Sequence, residues 1–237
     1  MNKLRPIALR DIHLNDRVFN HYIDRLHTAI IPYQWEVLNA SGAKSGCLRN
    51  LRIAAGLETG EYCGMIFQDS DLAKWLEAVA YSLQTRPDAD LEARADACVA
   101  LLEKAQHEDG YLNSYFTIEE PDGRWTNLME GHELYCAGHF IEAAVAYYEA
   151  TGKRAFMDVM CRYADLIDSV FGPEPEKRKG YPGHEEIELA LVKLYRATGN
   201  ARYLRLAAYF VEQRGQRPLY FEQELAARGG KTHFDGN

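Results

Sequence analysis

Two five-residue stretches, Tyr148-Glu149-Ala150-Thr151-Gly152 and Tyr195-Arg196-Ala197-Thr198-Gly199, recur about 47 residues apart, and each closes a run rich in Ala, Leu and Val. A period of that length accommodates one helical hairpin and one loop. The punctuation predicts three hairpins. In the first, Ser70 or Asp71 caps a helix over 72–83, and Arg86-Pro87-Asp88 separates it from a helix over 90–106. The second pairs 132–150 with 155–170 across Thr151-Gly152-Lys153, and the third pairs 184–197 with 201–214 across Thr198-Gly199-Asn200. Upstream, apolar residues at helical spacing over 17–39 predict a helix that Pro32 interrupts, and 41–64 reads as looser, Gly-rich sequence. Residues 7–14 alternate imperfectly and predict one strand, which would need a distant partner. The fold class is therefore all-α, made of αα-hairpin repeats with a short N-terminal strand.

Hairpin repeats close either as an open solenoid or as an α/α toroid whose inner helices ring a pocket. Here tight turns within hairpins alternate with long, aromatic, Gly-rich loops between them, at 109–127 and 171–183. Loops of that kind on one side favour the toroid, with the first helix of each pair innermost and its N-terminus facing the pocket.

Those N-termini carry polar side chains: Asp69 and Asp71 at the first, His132 and Glu133 at the second, and His184, Glu185 and Glu186 at the third. Each of the last two starts is a Gly-His-Glu triplet. With Trp35, Trp75, Trp125, Tyr111, Tyr115, Tyr135 and Tyr181 nearby in sequence, the set suits a sugar, which needs polar groups for its hydroxyls and aromatic faces for its C–H edges. Local readings compete with this one. Asp71 serves equally as a helix cap, Glu133 and Glu185 complement helix dipoles, and His139 is as readily a satisfied core histidine as a ligand contact. His132, Cys136 and His139 share one helix face at metal-like spacing, but the set lacks a further ligand and reads as core and pocket instead. No metal is assigned.

Composition narrows the partners. A formal net charge of -8 argues against nucleic acid and anionic membranes, which call for clustered Lys and Arg. No apolar run approaches the length of a membrane span and no signal-peptide pattern opens the chain, so the expected location is cytoplasmic. Five scattered cysteines, Cys47, Cys63, Cys98, Cys136 and Cys161, without a C-x-x-C pair, are expected as reduced thiols.

Four blocks carry a family resemblance: Phe67-Gln68-Asp69-Ser70-Asp71-Leu72-Ala73-Lys74-Trp75, Asp109-Gly110-Tyr111-Leu112-Asn113-Ser114-Tyr115-Phe116, Glu130-Gly131-His132-Glu133-Leu134-Tyr135-Cys136-Ala137-Gly138-His139 and Gly180-Tyr181-Pro182-Gly183-His184-Glu185-Glu186-Ile187-Glu188. In order and spacing the chain resembles the β-L-arabinofuranosidases of glycoside hydrolase family 127. The resemblance implies an (α/α)6 toroid of which about half, three hairpins of six, is present, residues 1–237 being the N-terminal part of the catalytic domain. It implies hydrolysis of terminal β-L-arabinofuranosyl residues of glycans. His132 and His184 match family histidines that hydrogen-bond the sugar, and Gln34, within Pro32-Tyr33-Gln34-Trp35, matches an N-terminal glutamine that touches it. The resemblance also implies a cysteine nucleophile held with other cysteines and a glutamate around zinc, and a second glutamate as acid/base. None of the five cysteines matches those motifs, so neither catalytic group nor zinc ligand is assigned in this sequence.

Two readings follow. One is a glycoside hydrolase, or the N-terminal part of one, with Gln34, Asp69, Asp71, His132, His139, His184 and Glu185 as substrate-binding candidates. The other is a catalytically silent helical-repeat module that binds carbohydrate or a protein partner. A half toroid would expose the flanks of its inner helices, which invites self-association.

Overall fold

The computed structural model describes residues 7–40 and 45–232. The expectations for 1–6, for 41–44 within the looser segment and for the polar end at 233–237 lie outside the described residues. Eleven α-helices are described: α1 (Arg17–Arg25), α2 (Ile31–Asn39), α3 (Cys47–Ala54), α4 (Asp69–Thr85), α5 (Ala89–Ala105), α6 (Ser114–Ile118), α7 (Glu133–Thr151), α8 (Ala155–Val170), α9 (Ile187–Thr198), α10 (Ala201–Gln213) and α11 (Tyr220–Ala227).

The three hairpins form as α4/α5, α7/α8 and α9/α10. Gly152 and Gly199 each close the first helix of a pair in the left-handed conformation, both at φ 74°, and each returns its N–H to the carbonyl four residues back, on Tyr148 and Tyr195. Glycine reaches that conformation without steric cost, which is why the Thr-Gly pair marks both turns. Asp88 and Asn200 cap the returning helices α5 and α10 through side-chain oxygens, on the N–H groups of Leu91 and Arg202.

Layering follows from the apolar faces. α7 lies between α4 and α9 in an inner layer, while α5, α8 and α10 form an outer layer behind them. α2 extends the inner layer against α4, and α3 lies against α5, so a further inner and outer pair precedes the three read from sequence. α7 is buried along nearly its whole length, with Phe140, Ile141, Ala143 and Ala144 fully enclosed. Two inner and outer layers wrapped in this order make an arc of an α/α toroid.

Two expectations are corrected and a third is met. Residues 7–14 do not form a strand: a 3-10 turn spans Leu9–Asp11, and among the described residues no strand forms, the Phe171–Arg178 contact being an isolated bridge. The segment had no partner to pair with, so its own turn satisfies it. α4 begins at Asp69, two residues earlier than Asp71, so Asp71 lies within the first turn and is not its cap. The helix over 17–39 is interrupted as expected, through a π-turn at Leu26–Ile30 that lets Pro32 enter α2 in its first turn, where no N–H partner is lost.

Candidate functional site

The long loops before α7 and α9 meet at the inner mouth of the arc. Gly183 donates its N–H to the carbonyl of Leu128 at 3.0 Å, and a Cβ built on Gly183 would stand 2.0 Å from the carbonyl oxygen of Met129. Only a residue without a side chain allows this approach. Glu224 of α11 secures the same loop by accepting from the N–H groups of Leu128 and Met129, at 2.8 and 3.0 Å.

This clamp brings the two sequence-predicted histidines together. The rings of His132 and His184 lie 4.8 Å apart at 37°. His132 occupies the N-cap of α7 at φ 57°, a left-handed conformation that costs a non-glycine residue on the order of 1–2 kcal/mol. Its Nδ1 donates to the carbonyl of Glu130, which fixes the protonated nitrogen. Tyr135 stands one turn along, 5.6 Å from His132, 5.4 Å from His184 and 4.5 Å edge-on from His139. Lys74 of α4 reaches across to donate to the Tyr135 hydroxyl at 2.9 Å and to Ser70 Oγ at 3.1 Å. The ring thus links α4, α7 and the start of α9.

Gln34 and Asp71 share a neighbouring cavity of about 580 Å³, lined also by Lys74 and Trp75. Its apolar lining includes Tyr33, Val37 and Trp75, whose ring centre lies 4.9 Å from that of Trp35. Burial raises the Asp71 carboxyl above its ordinary value, against the charge of Lys74 and the donor on Gln68.

Two sequence-predicted residues are placed elsewhere. Asp69 is buried and accepts from the backbone N–H of Ser114 at 2.7 Å and from its hydroxyl, tying the loop after α5 to the start of α4. Glu185 is exposed and pairs with Arg214 at 3.0 Å. Glu133 also turns inward, taking the Tyr111 hydroxyl and, at 2.7 Å, the N–H of Trp125, whose own φ is 63°. Burial pushes its carboxyl up to about 8, outweighing both donors and the charge of Arg124.

Sequence reading of helix starts missed the residues farther down the inner helices. His132, Tyr135, His139 and Glu142 fall at i, i+3, i+7 and i+10 on α7, and Asp71, Lys74, Ala78 and Tyr81 repeat that spacing on α4. Glu186, Leu189, Lys193 and Arg196 repeat it on α9. The spacing was the available signal. Tyr81, Glu142, Lys193 and Arg196 line one cavity of about 450 Å³, which places the three faces toward a common space.

Cys136 does not lie on that face. It is fully enclosed with its Sγ toward the carbonyl of Phe67, and burial together with nearby Asp69 holds its thiol well above the ordinary value. Among the described residues, the one group of three His, Cys, Asp or Glu with converging ligand atoms is His139, Glu142 and Glu186, which contains no cysteine. The residues present therefore do not compose the cysteine-rich zinc site that the family resemblance implies.

Inner and outer helices in register, with polar and aromatic groups at the inner mouth, define an α/α-toroid protein. Residues 11–234 match the family described as Beta-L-arabinofuranosidase, GH127 catalytic domain, and the chain belongs to that family. It is 41% identical over 232 residues to a non-reducing end beta-L-arabinofuranosidase of Bifidobacterium longum subsp. longum, covering 89% of this chain and 35% of that protein. The crystal structure of a GH127 beta-L-arabinofuranosidase from Geobacillus stearothermophilus T6 superposes with a TM-score of 0.90 at 57% identity, over 94% of this chain and 35% of that one. A second solved GH127 beta-arabinofuranosidase gives a TM-score of 0.83 at 35% identity, over 89% and 34%. The chain spans about a third of the length of these relatives. Among the described residues no helix is long and apolar enough to cross a membrane.

Proposed function

We propose that the chain supplies a substrate-binding wall for hydrolysis of terminal β-L-arabinofuranosyl residues, and that the nucleophile and acid/base are not among its residues. The observation that carries this reading is the His132–His184 pair, clamped at the inner mouth beside Tyr135 and Lys74. Imidazole nitrogens and the Lys74 ammonium offer hydrogen bonds to furanose hydroxyls, while Tyr135 offers a face for C–H edges. Gln34 and Asp71 extend the wall on the α2 and α4 side, and His139 deepens it. Asp69 supports the wall from behind by fixing the Ser114 loop, and Glu185 stands outside it against Arg214.

Retaining hydrolysis needs a nucleophile and an acid/base about 5 Å apart across the glycosidic bond. Cys136, the thiol nearest the mouth in sequence, is enclosed and held protonated, which suits packing and not attack. Purified residues 1–237 are therefore expected to show no turnover of an aryl β-L-arabinofuranoside, with or without added zinc, and weak sugar binding. Robust turnover that vanishes in Cys136→Ser would overturn the assignment. Five free cysteines fit a reducing compartment, and we place the protein in the cytoplasm on that basis. The open flanks of the inner helices, where Leu189 of α9 stands exposed, supply the surface for self-association; sedimentation as a monomer at high concentration would refute this.

A further inference from the structure

Below the mouth, Gly138 lets α7 and the start of α9 touch: a Cβ there would meet Glu186 Cγ at 2.7 Å and the backbone nitrogen of Ile187 at 2.9 Å. The close approach carries Glu186 onto the face of α7 that holds His139 and, one turn on, Glu142. One ligand atom from each of the three lies within 4.8 Å of the others. His139 Nδ1 and Glu186 Oε1 are 3.3 Å apart, yet neither is aligned in a hydrogen bond, and both are shielded from solvent.

We propose that His139, Glu142 and Glu186 form a binding site for a divalent transition cation of the zinc type, separate from any cysteine-based centre. One imidazole nitrogen and two carboxylate oxygens are a donor set that zinc accepts, with a fourth position left for water. Tetrahedral bonds of about 2.0–2.1 Å set ligand atoms roughly 3.3–3.4 Å apart. The His139–Glu186 spacing already has that value, and the third atom needs a shift of about an ångström.

A cation already stands at the edge of the cluster. Lys193 pairs with Glu142 and lies 4.0 Å from Glu77, so its ammonium is the cation that a metal must displace. Two carboxylates and a lysine explain each other as an ion pair; they leave the shielded His139 Nδ1, 3.3 Å from Glu186 Oε1, without an aligned hydrogen bond.

The test is titration of residues 1–237 with Co²⁺, followed by visible absorption. One equivalent giving ligand-field bands, without the near-ultraviolet charge transfer of cobalt–thiolate bonds and displaced by Zn²⁺, is expected. His139→Ala and Glu186→Gln should each weaken binding by at least the roughly 10–100-fold that loss of a metal's supporting shell costs, with circular dichroism confirming the fold. Lys193→Met removes the competing cation and should bind Co²⁺ more tightly, with a melting temperature that rises on metal addition. Absence of bands with folded parent, thiolate charge transfer, or binding unchanged in both ligand variants would overturn the proposal. Weaker binding by a folded Lys193→Met would do the same.

Discussion

Replacing Gly183 with alanine isolates the contact that aligns the two histidines. The added methyl would lie 2.0 Å from the Met129 carbonyl oxygen and 2.8 Å from its carbon. Both are backbone atoms, so no side chain can swing aside. Separating them to an ordinary contact requires the loops to part by more than an ångström, which stretches the 3.0 Å bond from the Gly183 N–H to Leu128. Losing that bond costs about 1 kcal/mol, and overpacking adds roughly 1–3 kcal/mol. A displacement of about 1 Å at a binding mouth is worth on the order of a hundredfold in positioning. Gly152→Ala provides the control: Gly152 sits at φ 74° with no atom within 4 Å of a Cβ, so only left-handed strain of about 1–2 kcal/mol applies. Urea unfolding should show both variants destabilised. Histidine ring-proton shifts in NMR should move at His132 and His184 only in Gly183→Ala. If Gly183→Ala leaves the shifts and the stability of the parent intact, the clamp does not hold the pair and the reasoning fails.

Glu133 makes stability depend on pH. Its folded carboxyl is raised from 4.5 to about 8, so between those values the folded chain keeps a proton that the unfolded chain releases, and stability falls as pH rises through the window. Glu133→Gln keeps a neutral group of the same shape and should flatten that fall; an unchanged pH profile of the melting temperature would remove Glu133 as its source. Glu224→Ala leaves the Leu128 and Met129 N–H groups without their acceptor and should cost about 1–3 kcal/mol in chemical unfolding, a loss that Glu224→Gln recovers in part. In a chain long enough to complete the toroid, His132→Ala and His184→Ala should each weaken binding of an aryl β-L-arabinofuranoside by about 1–3 kcal/mol if each imidazole bonds a sugar hydroxyl. Unchanged affinity in both would leave the pair with packing alone.

Legibility in the sequence followed the range of the interactions. Thr-Gly turns are settled by one residue's conformation, so Gly152 and Gly199 announced two hairpins, and the structure closes both there. The segment 7–14 was misread because alternation describes a strand only when a partner edge exists, and none is described. The Gly-His pairs were visible because each stands where a loop turns into a helix, and a helix start gathers polar side chains and free N–H groups at one mouth. Asp69 looks equivalent to Asp71 in sequence, but two residues turn a side chain by more than half a helical turn. One therefore faces the Ser114 loop and the other the cavity with Gln34. That choice depends on which neighbour packs on which side, and helix starts alone do not contain it.

The inner faces show why the site extends farther than the mouth. Gly131, just before α7, and Gly138, within it, each mark a place where another backbone or ring comes within contact distance of the helix or its entry. Close packing at those points shields the polar residues beside them, and Glu142 at the far end of the face lines the common cavity. The shielded groups are therefore partly desolvated, which is what drives His139 down and Glu186 up. A histidine at Phe140 or a glutamate at Ile187, one residue farther on, would enter the apolar core, whereas Glu185, one residue earlier, stands exposed against Arg214. The i, i+3, i+7, i+10 spacing shared by α4, α7 and α9 is thus a packing requirement before it is a functional one. Ligand chemistry at the mouth and cation chemistry below it both draw on that single register.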